Sequence, residues 1–80
     1  MAKTSIEVKI DGITDVYTFV KLATAMENKV TVTRGDYVVD GKSILGLIAI
    51  NPAEGVTVTL EDELSDAGEA FKDFLFAHSN

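Results

Sequence analysis

Asp40-Gly41-Lys42-Ser43-Ile44-Leu45-Gly46-Leu47-Ile48-Ala49-Ile50-Asn51-Pro52 is the stretch on which the reading of this 80-residue chain turns. It carries both ends of a short helix. Ser43 stands where an N-cap belongs, since its hydroxyl can accept from a backbone N–H one turn on and satisfy a donor that a helix start leaves unpaired. Asn51-Pro52 closes the run, because Pro52 has no N–H and pushes the residue before it out of the helical region. At 100° per residue, Ile44, Leu47 and Ile48 share one face, while Leu45 points roughly a quarter-turn away and is expected to be exposed. A core helix with one stray leucine would account for that. A capping serine, a flanking Lys42 and an outward Leu45 within one turn also suit a surface read by another protein.

Outward from this stretch the apolar period switches repeatedly between two and 3.6. Ile6, Val8 and Ile10 alternate with Ser5, Glu7 and Lys9 as in a half-buried strand, which Asp11-Gly12 breaks. From Thr14 or Asp15 the spacing becomes helical: Val16, Phe19, Val20, Ala23 and Met26 make one stripe ending near Asn28, with Tyr17 off it on the arc that Leu45 occupies in the later helix. Lys29 to Arg34 alternates again, Val30 and Val32 inward and Thr31 and Thr33 outward. Gly35-Asp36 is a two-residue hairpin signal, with glycine where a type II′ turn needs positive φ, and Tyr37 to Asp40 returns. Downstream, Val56, Val58 and Leu60 alternate with Thr57 and Thr59, and Glu61-Asp62-Glu63 forms a solvated connection. Ser65 is expected to cap a last helix that buries Ala67, Ala70, Phe71, Phe74 and Leu75 and turns Phe76 away. The order β-α-β-β-α-β-α predicts an α+β fold of two layers, three helices on one face of a four-stranded antiparallel sheet. Ile6, Val8, Val30, Val32, Val56 and Val58 should face the helices. Other small α+β topologies share this pattern.

Lys42-Ser43-Ile44-Leu45-Gly46-Leu47, followed by Asn51-Pro52-Ala53-Glu54-Gly55-Val56-Thr57-Val58, is similar to the second helix and fourth strand of HPr proteins. These are the small histidine-containing phosphocarriers of the bacterial sugar phosphotransferase system. The resemblance runs over nearly the whole chain and is specific in this stretch. It implies an HPr-like open-faced β-sandwich, with residues 1–80 as a single domain, and, as in Gram-positive members, regulatory phosphorylation on Ser43. In the family a histidine followed by arginine and proline opens the first helix, where unpaired N–H groups and the helix dipole stabilise phosphoryl oxygens. Here Asp11-Gly12-Ile13-Thr14-Asp15-Val16 stands at that place. The loop is shorter and has no histidine, arginine or proline, so imidazole chemistry is not expected from it.

Two functions from different classes follow from the resemblance. The first is a regulatory protein-binding module, similar to the catabolite-repression paralogues that keep only the serine. Ser43 with Ile44, Leu45 and Gly46, and Tyr17 nearby, would face a serine kinase and a transcriptional regulator. The alternative is a phosphoryl-carrier component of the phosphotransferase system that uses a substitute acceptor or works within a larger assembly. Neither is an enzyme and neither calls for a cofactor or metal.

Other chemistry-bearing residues have simpler explanations. Asp15, with Asp11 close by, could form an acyl phosphate, but first-turn carboxylates are what the macrodipole favours, and acyl-phosphate chemistry needs a metal-binding acidic cluster as well. His78, the one histidine, falls at the C-terminal end of the last helix, whose partial negative charge favours imidazolium and opposes a phosphoryl group; it is expected to be a frayed tail residue. Arg34-Gly35-Asp36 spells an adhesion tripeptide that the hairpin already explains. The acidic run Glu61-Asp62-Glu63 reads as a solvated face before it reads as a metal site.

Composition narrows the class further. At 46% hydrophobic the chain is expected to form one core, near the size where burial only just exceeds chain entropy. The absence of cysteine excludes disulfides and thiol catalysis. No apolar leader follows Met1 and no run approaches membrane-spanning length, so a soluble, cytoplasmic protein is expected. A net charge of −6 argues against nucleic acid as a partner, and other proteins are the expected ones.

Overall fold

Alternating valine and threonine builds the sheet. Strands β1 (Thr4–Val8), β2 (Val30–Arg34), β3 (Tyr37–Asp40) and β4 (Val56–Leu60) pair antiparallel in the order β1-β4-β2-β3. They are seen in a computed structural model that describes residues 3–62 and 67–79. The register sets Ile6 opposite Val58, Val58 opposite Val32 and Val32 opposite Val39, a line of branched side chains across the face that the helices cover. Val8, Val30, Val32, Val56 and Val58 are buried as expected, together with Leu60, and Ile6 is half-buried against them. Thr31, Thr33, Thr57 and Thr59 are half-buried on the opposite face, where the Ser5 and Thr59 hydroxyls share a 3.1 Å hydrogen bond. A slip of one residue would exchange the two sets.

The β2–β3 connection has the expected chemistry. Arg34 pairs with Tyr37, Gly35 has φ 59°, and Asp36 is not among the positive-φ residues, as a type II′ turn requires. The Arg34 guanidinium donates to the Ile50 carbonyl at 3.1 Å, so the tripeptide's arginine ties the hairpin to the helical layer.

Helices α1 (Ile13–Thr24), α2 (Ile44–Ile50) and α3 (Glu69–His78) pack on the valine face, with a 3-10 turn at Pro52–Glu54 between α2 and β4. In α1, Val16, Phe19 and Ala23 are buried and Val20 is half-buried. The Phe19 ring meets Phe71 and Phe74 of α3 at centroid distances of 5.6 and 5.9 Å, and burying it contributes about 1.5–3 kcal/mol. The helix stops earlier than the apolar stripe predicts. After Thr24 the chain tightens, Met26 N–H donating to the Ala23 carbonyl at 3.1 Å, and the Met26 carbonyl receives the Lys42 ammonium at 2.7 Å.

Two further expectations need correction. Ala70 is exposed, because α3 begins at Glu69 with Gly68 as its N-cap, leaving Ala70 in the first turn and 100° round from Phe71. Phe71, Phe74 and Leu75 are buried and Phe76 is exposed, as the spacing predicts. Ile48, expected in the core, is 48% exposed, and Ile50 is buried in its place. The buried stripe of α2 runs through Ile44, Leu47 and Ile50, so the helix is rotated by about 60° from the predicted face, given 100° per residue. Gly46 explains the turn. A Cβ there would stand 3.1 Å from Val39 Cβ, so the bare glycine lets α2 settle onto β3 on the Gly46 and Ile50 side.

Ser65, expected as a cap, and Glu63 of the acidic run lie outside the described residues. Glu61 pairs with Lys3 at 3.4 Å, and the Asp62 carboxylate accepts from the Asn28 amide at 2.8 Å. No helix among the described residues is long and apolar enough to cross a membrane.

Candidate functional site

The start of α2 is built by short-range bonds. The Asp40 carboxylate accepts from Lys42 N–H at 2.9 Å and the Asp40 carbonyl from Ser43 N–H at 3.0 Å, which turns the chain into the helix. Ser43 is extended, and its Oγ accepts from Gly46 N–H at 3.1 Å, the cap expected of it. The first turn of α2 holds no acidic residue, so negative charge added at Ser43 would meet the helix's positive end with no like charge in that turn. Lys42 is not a displayed charge. Its ammonium is spent on the Met26 carbonyl.

Leu45 is 77% exposed, the outward position that the spacing predicts. Tyr17 is exposed on α1, the helix against which α2 packs. Ile44 and Gly46, expected on the same surface, are half-buried, with Ile44 packed against the core and Gly46 close to Val39. Ile48 was not expected on this face and joins it through the rotation of α2. With the exposed Ile13 at the start of α1 it borders a shallow hollow of about 200 Å³, floored by Ile10, Val16 and Pro52. The signal for Ile13 was its place directly after the Asp11-Gly12 break, where the helix in fact begins.

At the start of α1, Gly12 is the N-cap and supplies no side-chain bond; the first intrahelical bond runs from Val16 N–H to the Gly12 carbonyl at 3.1 Å. The loop has no imidazole of its own. The fold brings one to it. His78 is not frayed: it closes α3, its carbonyl accepts from Lys9 N–H at 3.0 Å, and Ser79 bridges to Val8 of β1. Its ring stacks on Phe74 at 4.0 Å and 22°, its Nδ1 lies 2.8 Å from the Phe74 carbonyl, and its Nε2 lies 3.3 Å from the Asp15 carboxylate in the first turn of α1. Spacing along the chain could not show this contact, because the two residues are 63 positions apart.

A family model described as "PTS HPr component phosphorylation site" matches residues 16–76. The chain is similar to the proteins named phosphocarrier protein HPr of Neisseria meningitidis serogroup A and serogroup B. Each is 37% identical over 54 residues, a match covering 68% of this chain and 61% of the relative. The matched part thus spans less than two thirds of those relatives. Among solved structures, HPr-C-His from Thermoanaerobacter tengcongensis superposes with a TM-score of 0.69 at 25% identity, covering 96% of this chain and 93% of that one. The Bacillus anthracis phosphocarrier protein HPr gives 0.74 at 20% identity, covering 98% and 99%, a likeness of fold alone. The family pattern runs from the first turn of α1 into α3, on a fold shared with solved phosphocarriers, and the chain belongs to the HPr family of the phosphotransferase system.

Proposed function

We propose that this chain is a cytoplasmic, non-enzymatic protein-docking module of the phosphotransferase system, read through its α1–α2 face and switched by phosphorylation of Ser43. The observation that carries the reading is the pairing, within one turn, of a half-buried capping hydroxyl with a leucine that is about three-quarters exposed. Tyr17 on α1 and Ile48 on α2 are exposed apolar residues that such a partner would also cover, while Ile44 and Gly46 are half-buried. A phosphate on Ser43 would add about −1.5 to −2 charges beside the apolar patch. The fold need not change for a partner to sense it, since the charge sits at the helix end that favours it. The partners would be a serine kinase and a transcriptional regulator, or other phosphotransferase components.

The test is ATP-dependent modification by an HPr-type serine kinase, read by intact mass, beside a pull-down of phosphotransferase proteins. One phosphate on the parent and none on Ser43→Ala, with binding lost in Leu45→Glu, is the expected outcome. Equal modification and equal binding of both variants and the parent would overturn the reading.

Two observations favour a second reading. The relatives are named phosphocarriers, and the His78 imidazole stands beside Asp15 at the start of α1. Under this reading the chain also carries a phosphoryl group on a substitute acceptor.

A further inference from the structure

We propose that the outer edge of β3 pairs with the same edge of a second copy of this chain, antiparallel and centred on Val39, joining the two sheets into one. The two edges of the sheet are finished differently. At β1 the C-terminal segment closes part of the edge: Ser79 bridges to Val8, and the Lys9 N–H donates to the His78 carbonyl at 3.0 Å. On β3 no described residue pairs with the outer side. The ladder fixes which groups that side offers. Gly41 N–H donates to the Val30 carbonyl at 2.8 Å, so Gly41, Val39 and Tyr37 turn their backbone groups toward β2, and by the alternation of an antiparallel pair Val38 and Asp40 turn theirs outward. The Asp40 carbonyl already accepts from Ser43 N–H at 3.0 Å, with a lone pair to spare. Tyr37 and Val38 are 72% and 65% exposed, so this edge displays apolar side chains where edge strands ordinarily carry lysine, proline or a bulge.

Charge selects the register. Residues directly opposite in an antiparallel pair point to the same face, so a symmetric pairing has to be centred on one residue. Centring on Val38 would set Asp36 against Asp40 of the second copy on both sides of the axis, and like charges directly opposite are destabilising. Centring on Val39 sets Asp36 against Lys42, because the two stand at equal distances along the chain on either side of it. The Lys42 ammonium keeps its bond to the Met26 carbonyl and has further donors for the carboxylate. In this register Val38 donates to and accepts from Asp40 of the second copy, which uses every outward backbone group, and Tyr37 stands opposite Gly41. An acid and a base placed symmetrically about an apolar centre is what an isologous contact needs, and this assigns the edge to a second copy of the chain and not to an unrelated strand.

Edge contacts between short strands fall at the small end of interface sizes, below about 1,200 Å² in total, and each copy carries a net charge of −6. Pairing is therefore expected at high micromolar concentration, in salt of about 0.15 M that screens the repulsion between copies. Sedimentation velocity of the whole chain, from low micromolar to millimolar, reads the association, and amide exchange by NMR reads its site. The expected result is a reversible monomer–dimer equilibrium, with exchange at Val38 and Asp40 slowing as concentration rises, and pairing lost in Val38→Lys while that variant melts like the parent. A chain that stays monomeric at millimolar concentration, or a dimer that leaves those two amides unprotected, overturns the proposal. Asp36→Lys separates the registers: centred on Val39 it sets lysine against Lys42 and weakens the dimer, whereas centred on Val38 it sets lysine against Asp40 and tightens it. Because the chain has no cysteine, Val39→Cys reports the centre directly. Opposed residues there stand about 4.5 Å apart at Cα, within reach of a disulfide, so Val39→Cys should cross-link faster than Val38→Cys, and the reverse order overturns the register. Should Val39→Cys fail to fold, Asp36→Lys decides.

Discussion

Ser43 and Leu45 sit within one turn and should answer mutation in opposite ways. Ser43→Ala removes the acceptor of the Gly46 N–H and is expected to cost about 1 kcal/mol, lowering Tm by about 4–8 °C in a thermal melt. Leu45→Glu alters a side chain already in water and should change stability by less than about 0.5 kcal/mol by the same measurement. Both roles were legible from spacing alone, as was the exposure of Phe76, because each depends only on neighbours within one or two helical turns. His78 and Lys42 were not. One finds Asp15 across the molecule and the other finds Met26 on the far side of the β2–β3 hairpin, and no local period encodes either partner.

The elements themselves were legible in type and order, since each strand alternates and each helix carries a stripe. Their rotation was not, where a glycine decided it. Apolar residues at 44, 47, 48 and 50 fit two overlapping faces of α2, and the period cannot choose between them. Contact between Gly46 and Val39 chooses. Leu47→Ala should therefore cost about 2–5 kcal/mol as a core truncation, while Ile48→Ala should cost under about 1 kcal/mol. Urea denaturation of the two variants measures the difference, and equal losses would restore the face predicted from the period. The early end of α1 has the same kind of origin, since the Met26 carbonyl is claimed by Lys42 of a different element.

For the whole molecule, one aromatic cluster joins α1 to α3, and its loss should be close to fatal. At about 0.05–0.15 kcal/mol per residue the chain holds on the order of 4–12 kcal/mol of stability. Phe19→Ala is expected to remove about 3–5 kcal/mol of it and lower the urea midpoint accordingly. The strand order has a consequence for how the protein comes into being. β4 lies between β1 and β2, although it is the last of the four strands in the chain. Until the ribosome has released it, β1 has no partner and β2–β3 is an isolated hairpin, marginal by itself. A chain halted at Gly55 should show no cooperative transition by circular dichroism, and a sharp melt would show that a sheet forms without β4. At about 5–20 residues per second, β1 waits several seconds during synthesis with Ile6 and Val8 uncovered. Glu7 and Lys9, alternating with those residues, put charge on the waiting strand and discourage it from pairing with the same segment of a neighbouring nascent chain.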